Sequence, residues 1–155
     1  MTRRYDFNHQ LALGEEYERR LDEHFARWFA IAKATREQQR AGIDRVFRHR
    51  VTGAVYLVEY KADTLAGTTG NAFIETESVD RTGRAGWAVA SRADVLIYMV
   101  TQPQTIYAIR LRTLRRALAR WQQTYRLASA QNDGYKTWGH LVPLDELERI
   151  AIEVH

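Results

Sequence analysis

Two acidic residues and one lysine have the types and the spacing that phosphodiester chemistry requires. Asp44 begins one predicted strand, and Glu59 and Lys61 close the next one. Alternate residues of a strand share a face, so Glu59 and Lys61 are expected on the same side of their strand. A tight turn at Val51-Thr52-Gly53 returns the second segment beside the first. The sequence therefore predicts two carboxylates and an amine at one edge of a sheet.

These three groups suit metal-assisted hydrolysis. Carboxylate oxygens are the ligands that Mg²⁺ and Mn²⁺ prefer, and such ions retain several waters. A bound ion acidifies one of those waters and offsets the charge that develops on phosphate oxygens. A neighbouring lysine orients the water and adds positive charge. We therefore expect Asp44 and Glu59 to bind Mg²⁺ or Mn²⁺, and Lys61 to position the attacking water.

The same residues resemble a known nuclease signature. Gly42-Ile43-Asp44, followed by Glu59-Tyr60-Lys61 on an apolar strand, is similar to the PD-(D/E)xK motif of restriction-endonuclease-like nucleases. Ile43 stands where that superfamily usually has proline, a departure that its members often show. The resemblance implies a DNA endonuclease that depends on a divalent metal.

A segment near the N-terminus points to a narrower family. Residues 14–21, Gly-Glu-Glu-Tyr-Glu-Arg-Arg-Leu, resemble the G-x-x-x-E-R-x-L helix of archaeal-type Holliday junction resolvases. In that family the helix glutamate contributes to the metal site, and Glu18 corresponds to it. The resemblance covers residues 10–62. It implies a metal bound by Asp44, Glu59 and Glu18, and a symmetric homodimer that nicks a four-way DNA junction.

A second pattern leaves the substrate open. Residues 69–78, together with Gly86-Trp87 and residues 91–94, are similar to a stretch found in phage and bacterial nucleases of the same superfamily. Archaeal resolvases do not have this pattern. One alternative is therefore a phage or repair nuclease that acts on duplex, flap or single-stranded DNA. The others are a nuclease fold that binds DNA without cutting it, and a structural protein with a basic surface.

Four further polar residues are candidates for the site. Glu75 and Glu77 are expected on one face of a neighbouring strand, where they would widen the acidic site, pair with arginines or face solvent. Thr69 and Asn71 belong to a segment rich in Gly and Thr that could contact phosphate. Turn chemistry alone also explains such residues.

The basic residues are mostly arginine. The chain has 23 Lys and Arg against 19 Asp and Glu, a net charge of +4, and only three of these residues are lysine. The planar arginine fork suits bidentate phosphate contacts. Arg112, Arg116 and Arg120 recur every four residues, which predicts a stripe along one helix. That stripe either follows a DNA backbone or forms a solvated face.

Length and composition narrow the class of protein. With 155 residues, one domain spanning 1–155 is expected. No run approaches the roughly 20 apolar residues that span a bilayer, and the first residues lack the apolar core of a signal peptide. Cysteine is absent and the five histidines lack metal-ligand spacing, so no zinc site is expected. A cytoplasmic protein is expected, either cellular or phage-encoded in a bacterial host.

Hydrophobic periodicity predicts the elements that position these residues. A helix is expected over 11–30, and the stretch from Phe29 either extends it or forms a first strand. Further strands are expected at 44–50, 54–61, 72–78, 95–100 and 105–111, further helices at 84–92, 113–127 and from Pro143, and loops at 65–71 and 129–142. This order predicts an α/β domain, restriction-endonuclease-like, with a central mixed β-sheet flanked by α-helices. The last predicted strand and the helix after it are candidates for a dimer interface.

Overall fold

The computed structural model describes residues 2–79, 84–132 and 135–155, with side chains except those of 2–8, 10, 79 and 132. The helices are α1 Thr2–Phe25, α2 Arg36–Arg40, α3 Ala66–Thr69, α4 Trp87–Ala90, α5 Leu111–Thr124 and α6 Leu144–Ile150. The strands are β1 Phe29–Lys33, β2 Arg45–His49, β3 Val55–Asp63, β4 Asn71–Val79, β5 Arg84–Ala85, β6 Val95–Thr101, β7 Gln104–Arg110, β8 Leu127–Asn132, β9 Tyr135–Pro143 and β10 Glu153–Val154. Among the described residues, no helix is both long enough and apolar enough to cross a membrane.

The strands form two sheets. The larger sheet has six strands in the order β1-β2-β3-β6-β7-β10, and the smaller has four in the order β5-β4-β9-β8. Strands β3 and β6 pair in parallel, whereas the other neighbours in the larger sheet are antiparallel. This mixed sheet, flanked by helices, confirms the predicted α/β class.

Strands β3 and β6 lie at the centre of the larger sheet, where both of its faces are covered. On one face, Leu21 and Phe25 of α1 pack against side chains of the sheet that include Tyr60 and Met99. On the other face, the sheet shares a second core with α5, whose Trp121 is completely buried. Burial on both faces explains why β6 is a continuous apolar run instead of an alternating one.

The predicted hairpin that carries the candidate site is confirmed. Strands β2 and β3 pair antiparallel, with Arg45 opposite Val58. The turn ends at Gly53, whose φ of +72° is a backbone conformation that glycine adopts without strain. Its N–H donates to the carbonyl of His49 at 2.9 Å. The short turn sets the register, and the register decides which residues of β3 face each side of the sheet.

Three local predictions need correction. The first helix ends at Phe25 instead of residue 30, and the stretch from Phe29 forms strand β1, as one of the two alternatives proposed. The expected loop at 65–71 contains the short helix α3, because the Asp63 carboxylate accepts hydrogen bonds from the first backbone N–H groups of that turn. The expected helix at 84–92 is reduced to α4. Extended backbone at Gly86, which donates to the Thr76 carbonyl, ties the preceding residues to β4.

The expected loop at 129–142 is wrong. Strands β8 and β9 occupy this region, and β9 pairs with β4 on one side and with β8 on the other to complete the smaller sheet; residues 133–134 lie outside the described part. These strands mix small, polar and apolar residues, so hydrophobic alternation is weak, and the long-range pairing of β9 with β4 decides the structure of this region. Helix α6 begins after Pro143, as predicted.

Candidate active site

Asp44 lies where the ladder between β2 and β3 ends. Its backbone N–H donates to the Val58 carbonyl at 2.8 Å, and its carboxylate Oδ2 accepts from the backbone N–H of Tyr60 at 2.8 Å. The side chain thus takes the place of the next carbonyl in the ladder. This bond fixes the carboxylate close enough to Glu59 for its charge to raise the pKa of Glu59. The predicted proximity of Asp44 and Glu59 is therefore present in the structure.

Glu59 is a buried carboxylate with one free oxygen. The residue is 4% exposed, and its Oε1 lies 3.2 Å from the ammonium nitrogen of Lys61. Its Oε2 is buried and has no hydrogen-bond partner among the described residues. Burial raises the pKa of Glu59 above its ordinary value, while the Lys61 charge opposes that rise. A charged carboxylate that is buried with one oxygen unpaired lacks part of the hydrogen bonding that would stabilise its charge.

Glu18 lies with the residues on the other face of the sheet. Strand alternation turns Tyr60 away from Glu59, and its hydroxyl donates to Asp22 of α1 at 2.8 Å. Buried Arg45 binds the same Asp22 and also the Oε2 of Glu18, at 3.1 Å. In the described part of the chain, the ion pair of Glu18 is therefore with Arg45. The structure does not bring its carboxylate into contact with Asp44, Glu59 or Lys61.

Glu75 approaches the site from the smaller sheet. It is half-buried on β4, and burial raises its pKa; the charge of Lys61 lowers that pKa and the charge of Glu59 raises it. Strand β4 has a bulge here, because Glu75 pairs with Gly139 whereas Glu77 pairs with the adjacent Trp138. The two glutamates therefore face opposite sides, which corrects the expectation that they share a face. Glu77 is exposed.

Ser91 joins two segments of the site, a role that the pattern of charged residues does not indicate. Its hydroxyl donates to the carbonyl of Gly42 at 3.0 Å, two residues before Asp44. Arg115 of α5 donates to the Ser91 and Ala88 carbonyls, which attaches the segment to the helix. The only signal in the sequence was the similarity of residues 91–94 to other nucleases.

Trp87 is a second residue of the site that the pattern of charged residues does not indicate. Its ring lies 5.8 Å from the ammonium nitrogen of Lys61, a cation–π contact. Lys61 is therefore held between an aromatic ring and the Glu59 carboxylate. Both Lys61 and Trp87 line a cleft of about 470 Å³ at the boundary of the two sheets.

The charges of the site favour a divalent cation. Asp44, Glu59 and Glu75 provide three carboxylates that Lys61 alone offsets, which leaves a formal charge of −2. No group of three or more His, Cys, Asp and Glu with metal-binding geometry occurs in the described ranges. Mg²⁺ commonly uses only one or two protein carboxylates and completes its shell with water and substrate phosphate. Asp44 and the free oxygen of Glu59 fit that requirement.

Thr69 and Asn71 line the same cleft as Lys61. The Thr69 hydroxyl donates to the Asn71 carbonyl at 3.2 Å, and the Asn71 amide donates to the Thr69 carbonyl at 3.3 Å. These bonds shape the chain between α3 and β4. A phosphate contact by either residue stays a prediction.

The predicted arginine stripe is partly used inside the fold. Arg112 and Arg116 are exposed on α5, opposite its buried apolar side. Arg120 instead pairs with buried Glu146 of α6 at 2.7 Å, and Trp121 donates to the same carboxylate. These bonds lower the pKa of Glu146 to about 2. Only Arg112 and Arg116 of the stripe are therefore free of an observed ion pair in the described residues.

Comparison with known proteins gives one solved structure. No protein-family model matches this chain, and no curated protein matches it. A bacterial homing endonuclease, I-Ssp6803I, is similar with a TM-score of 0.46 and 17% sequence identity, over 88% of this chain and 77% of that one. The function of the chain is therefore inferred from the chemistry of its own site.

Proposed function

We propose that this protein is an endonuclease that hydrolyses DNA phosphodiester bonds with the help of a divalent metal ion. The observation that carries this proposal is the buried Oε2 of Glu59, which has no partner although Asp44 and Lys61 adjoin it. An unsatisfied buried acceptor costs about 1–3 kcal/mol, and more when it is charged. A purely structural role for Glu59 would leave that cost without compensation, whereas a bound cation removes it.

Each residue of the proposed site has a separate task. Asp44, held at one oxygen by the Tyr60 N–H, presents its other oxygen as a ligand, and Glu59 presents its Oε2. Mg²⁺ or Mn²⁺, when bound, supplies an acidified water and stabilises charge on the phosphate. Lys61 orients the attacking water and adds positive charge beside the phosphate oxygens.

Glu18 is proposed to support the metal site indirectly. Its ion pair with Arg45 helps to hold a guanidinium whose Nη1 donates to the Asp44 carbonyl at 2.9 Å. Direct metal binding, which the resolvase resemblance implies, would require that ion pair to open. Asp44 and Glu59 are therefore the proposed direct ligands.

DNA is the proposed polymer because the chain carries a net charge of +4 and exposes arginines to solvent, Arg112 and Arg116 among them. A four-way junction, nicked symmetrically by a homodimer, is the narrower proposal and is supported by the sequence resemblance at residues 14–21. A phage-type or repair nuclease that acts on duplex, flap or single-stranded DNA is the alternative. A cytoplasmic location is consistent with either activity.

Cleavage of a labelled four-way junction and its matched linear duplex tests this proposal. With Mg²⁺ or Mn²⁺, the wild-type protein should cut, and Asp44→Asn and Lys61→Ala should each lose at least a hundredfold in rate. Lys33→Ala is the matched control, because Lys33 is exposed on β1, and it should keep full activity.

The outcomes separate the candidates. Paired symmetric nicks confined to the junction would support the resolvase, and equal cutting of the duplex would leave a nuclease without junction specificity. Tight binding without cutting by the wild-type protein would identify a DNA-binding module and overturn the proposed catalysis.

A further inference from the structure

Lys61 lies between two clefts. One is the cleft of about 470 Å³ at the boundary of the two sheets, which Phe73 of β4 lines and which we call the β4 cleft. The other, which we call the α1 cleft, has a volume of about 460 Å³ and lies between α1 and the end of β3, where Tyr17 lines it. Lys61, Ala62 and Thr64 line both clefts. These three residues at the end of β3 therefore form a ridge with a cleft on each side.

Each cleft contains an aromatic side chain. In the β4 cleft, the Trp87 ring lies 5.8 Å from the Lys61 ammonium nitrogen, and its centroid lies 6.4 Å from that of buried Tyr98. In the α1 cleft, the Tyr17 side chain is half-buried. Aromatic rings beside a positive charge are the surfaces on which proteins stack the bases of single-stranded nucleic acids.

The wall of the β4 cleft is fixed by hydrogen bonds from three elements. The Asp63 carboxylate accepts from the backbone N–H of Ala66 in α3 at 2.8 Å and from the Tyr98 hydroxyl of β6. Asp63 itself ends β3 and lines the cleft. A ligand therefore meets a cleft that is already formed, which is the usual condition of small-ligand sites of about 300–1,000 Å³.

The charges of the two clefts determine which part of a nucleotide each would take. Asp63 lines the β4 cleft and Glu18 lines the α1 cleft. Arg45 pairs with both Glu18 and Asp22, so this group keeps a formal charge of −1. Among the described residues that line either cleft, Lys61 alone is cationic, and its side chain is 37% exposed. A phosphate is therefore favoured on the ridge, and a neutral base in each cleft.

We propose that the protein binds an unpaired DNA strand across this ridge, with the scissile phosphate at Lys61 and the base on either side of it in one of the two clefts. This inference rests on the proposed function and names its substrate class. The bases of an intact duplex are stacked and paired, so they could enter the clefts only after leaving the stack. Cutting is therefore expected at branch points, flaps and single strands, and not within an intact duplex.

The affinity for a short labelled thymidine oligonucleotide, measured with Ca²⁺ in place of the catalytic ion, tests both clefts. Trp87→Leu and Tyr17→Leu should each weaken binding about tenfold, the effect of losing one stacked base. Trp87→Phe and Tyr17→Phe keep an aromatic ring and should keep most of the affinity. Trp28→Leu is the matched control, because Trp28 is 38% exposed and lines neither cleft, and it should bind like the wild type. Unchanged affinity in both leucine variants of the clefts would overturn the proposal.

A fluorine signal reports on the β4 cleft without any substitution. The chain has four tryptophans. With 5-fluorotryptophan incorporated, the signal of Trp87, assigned with Trp87→Phe, should shift when the oligonucleotide binds and stay in place with a matched duplex. The signal of Trp28 should stay in place with both. A Trp87 signal that is unmoved by the single strand, or that moves equally with the duplex, would overturn the proposal.

Cleavage by the wild-type protein separates this inference from the proposed function. If the protein cut an intact duplex as fast as a single strand, the inference would fail and the nuclease would stand. If it cut neither substrate while the Trp87 signal still shifted with the single strand alone, the proposed function would fail and the binding of an unpaired strand at this cleft would stand.

Discussion

Gly42 sets the distance between the two segments that carry the candidate site. Its φ of +81° lies in the region that L side chains rarely adopt. A Cβ at this position would also lie 2.9 Å from Ser91 Oγ and 3.0 Å from the Ser91 Cα. The close approach lets the Ser91 hydroxyl reach the Gly42 carbonyl, two residues before Asp44. Backbone freedom and space are thus both required at one residue.

Gly42→Ala is therefore expected to destabilise the protein by about 2–4 kcal/mol, from about 1–2 kcal/mol of left-handed strain and a similar cost for the overlap with Ser91. Gly53→Ala is the matched control, because Gly53 has a similar φ of +72° and open space around it. It should lose only the strain contribution. Urea unfolding of both variants measures the difference. Equal destabilisation would show that the contact with Ser91 imposes no cost.

The residues of the site differ in how far the sequence predicts them. Asp44, Glu59 and Lys61 are joined by one short hairpin, so alternation and turn chemistry were enough to bring them together. Ser91 reaches the site through its hydrogen bond to the Gly42 carbonyl, and Glu75 comes from β4 of the smaller sheet. The bulge in β4 turns Glu77 to the opposite side of the strand from Glu75, contrary to the prediction. No sequence pattern in β4 predicts this bulge.

At the scale of elements, α5 and α6 are joined by a buried carboxylate. Glu146 accepts hydrogen bonds from Arg120, Trp121 and Tyr125, all of α5 or the residue that follows it. These donors hold the pKa of Glu146 at about 2, below the ordinary 4.5. Because the folded-state pKa is lowered, the contribution to stability is complete above the unfolded pKa. It is lost as the pH falls from about 4.5 towards 2.

Glu146→Gln should therefore lower the free energy of unfolding at pH 7, and the difference from the wild type should shrink between pH 4.5 and pH 2. Glu148→Gln, an exposed change on the same helix, should alter neither the stability nor its pH dependence. Thermal unfolding monitored by circular dichroism over this pH range provides the measurement. A difference that stayed constant with pH would mean that Glu146 contributes through packing instead of charge.

Elements with strong local signals were predicted well, and those that depend on distant partners were not. The apolar run of β6 and the periodic face of α5 specify their structures locally. Strand β9 pairs with β4, which lies more than fifty residues earlier in the chain, and β8 in turn pairs with β9. A local hydrophobic pattern cannot reveal a pairing partner so distant in the chain, so the sequence predicted a loop at 129–142.

At the scale of the whole molecule, charge determines how DNA would be bound. The chain carries a net charge of +4, and Arg112 and Arg116 project from α5 into solvent. Each phosphate contact releases counterions, so affinity should fall steeply with salt concentration. Arg120 is excluded from this surface by its ion pair with Glu146.

The double variant Arg112→Gln/Arg116→Gln should bind DNA more weakly and reduce the slope of log affinity against log salt by about 2. Exposed arginines elsewhere provide the control, and Arg27→Gln/Arg48→Gln should leave the slope nearly unchanged. Fluorescence anisotropy with a labelled duplex at several salt concentrations measures both. If the two double variants gave the same slope, α5 would not be the DNA-binding face.

The division of the site between two sheets has a consequence for how the protein would lose activity. Asp44, Glu59 and Lys61 belong to the larger sheet, whereas Glu75 depends on the pairing of β4 with β9. Proteins open in cooperative units of unequal stability, and a unit built from distant pairings can open alone. Mild heating or low denaturant would then displace Glu75 and the smaller sheet while the central strands stay protected from hydrogen exchange. Activity would be lost before global unfolding, and cooling would restore that activity.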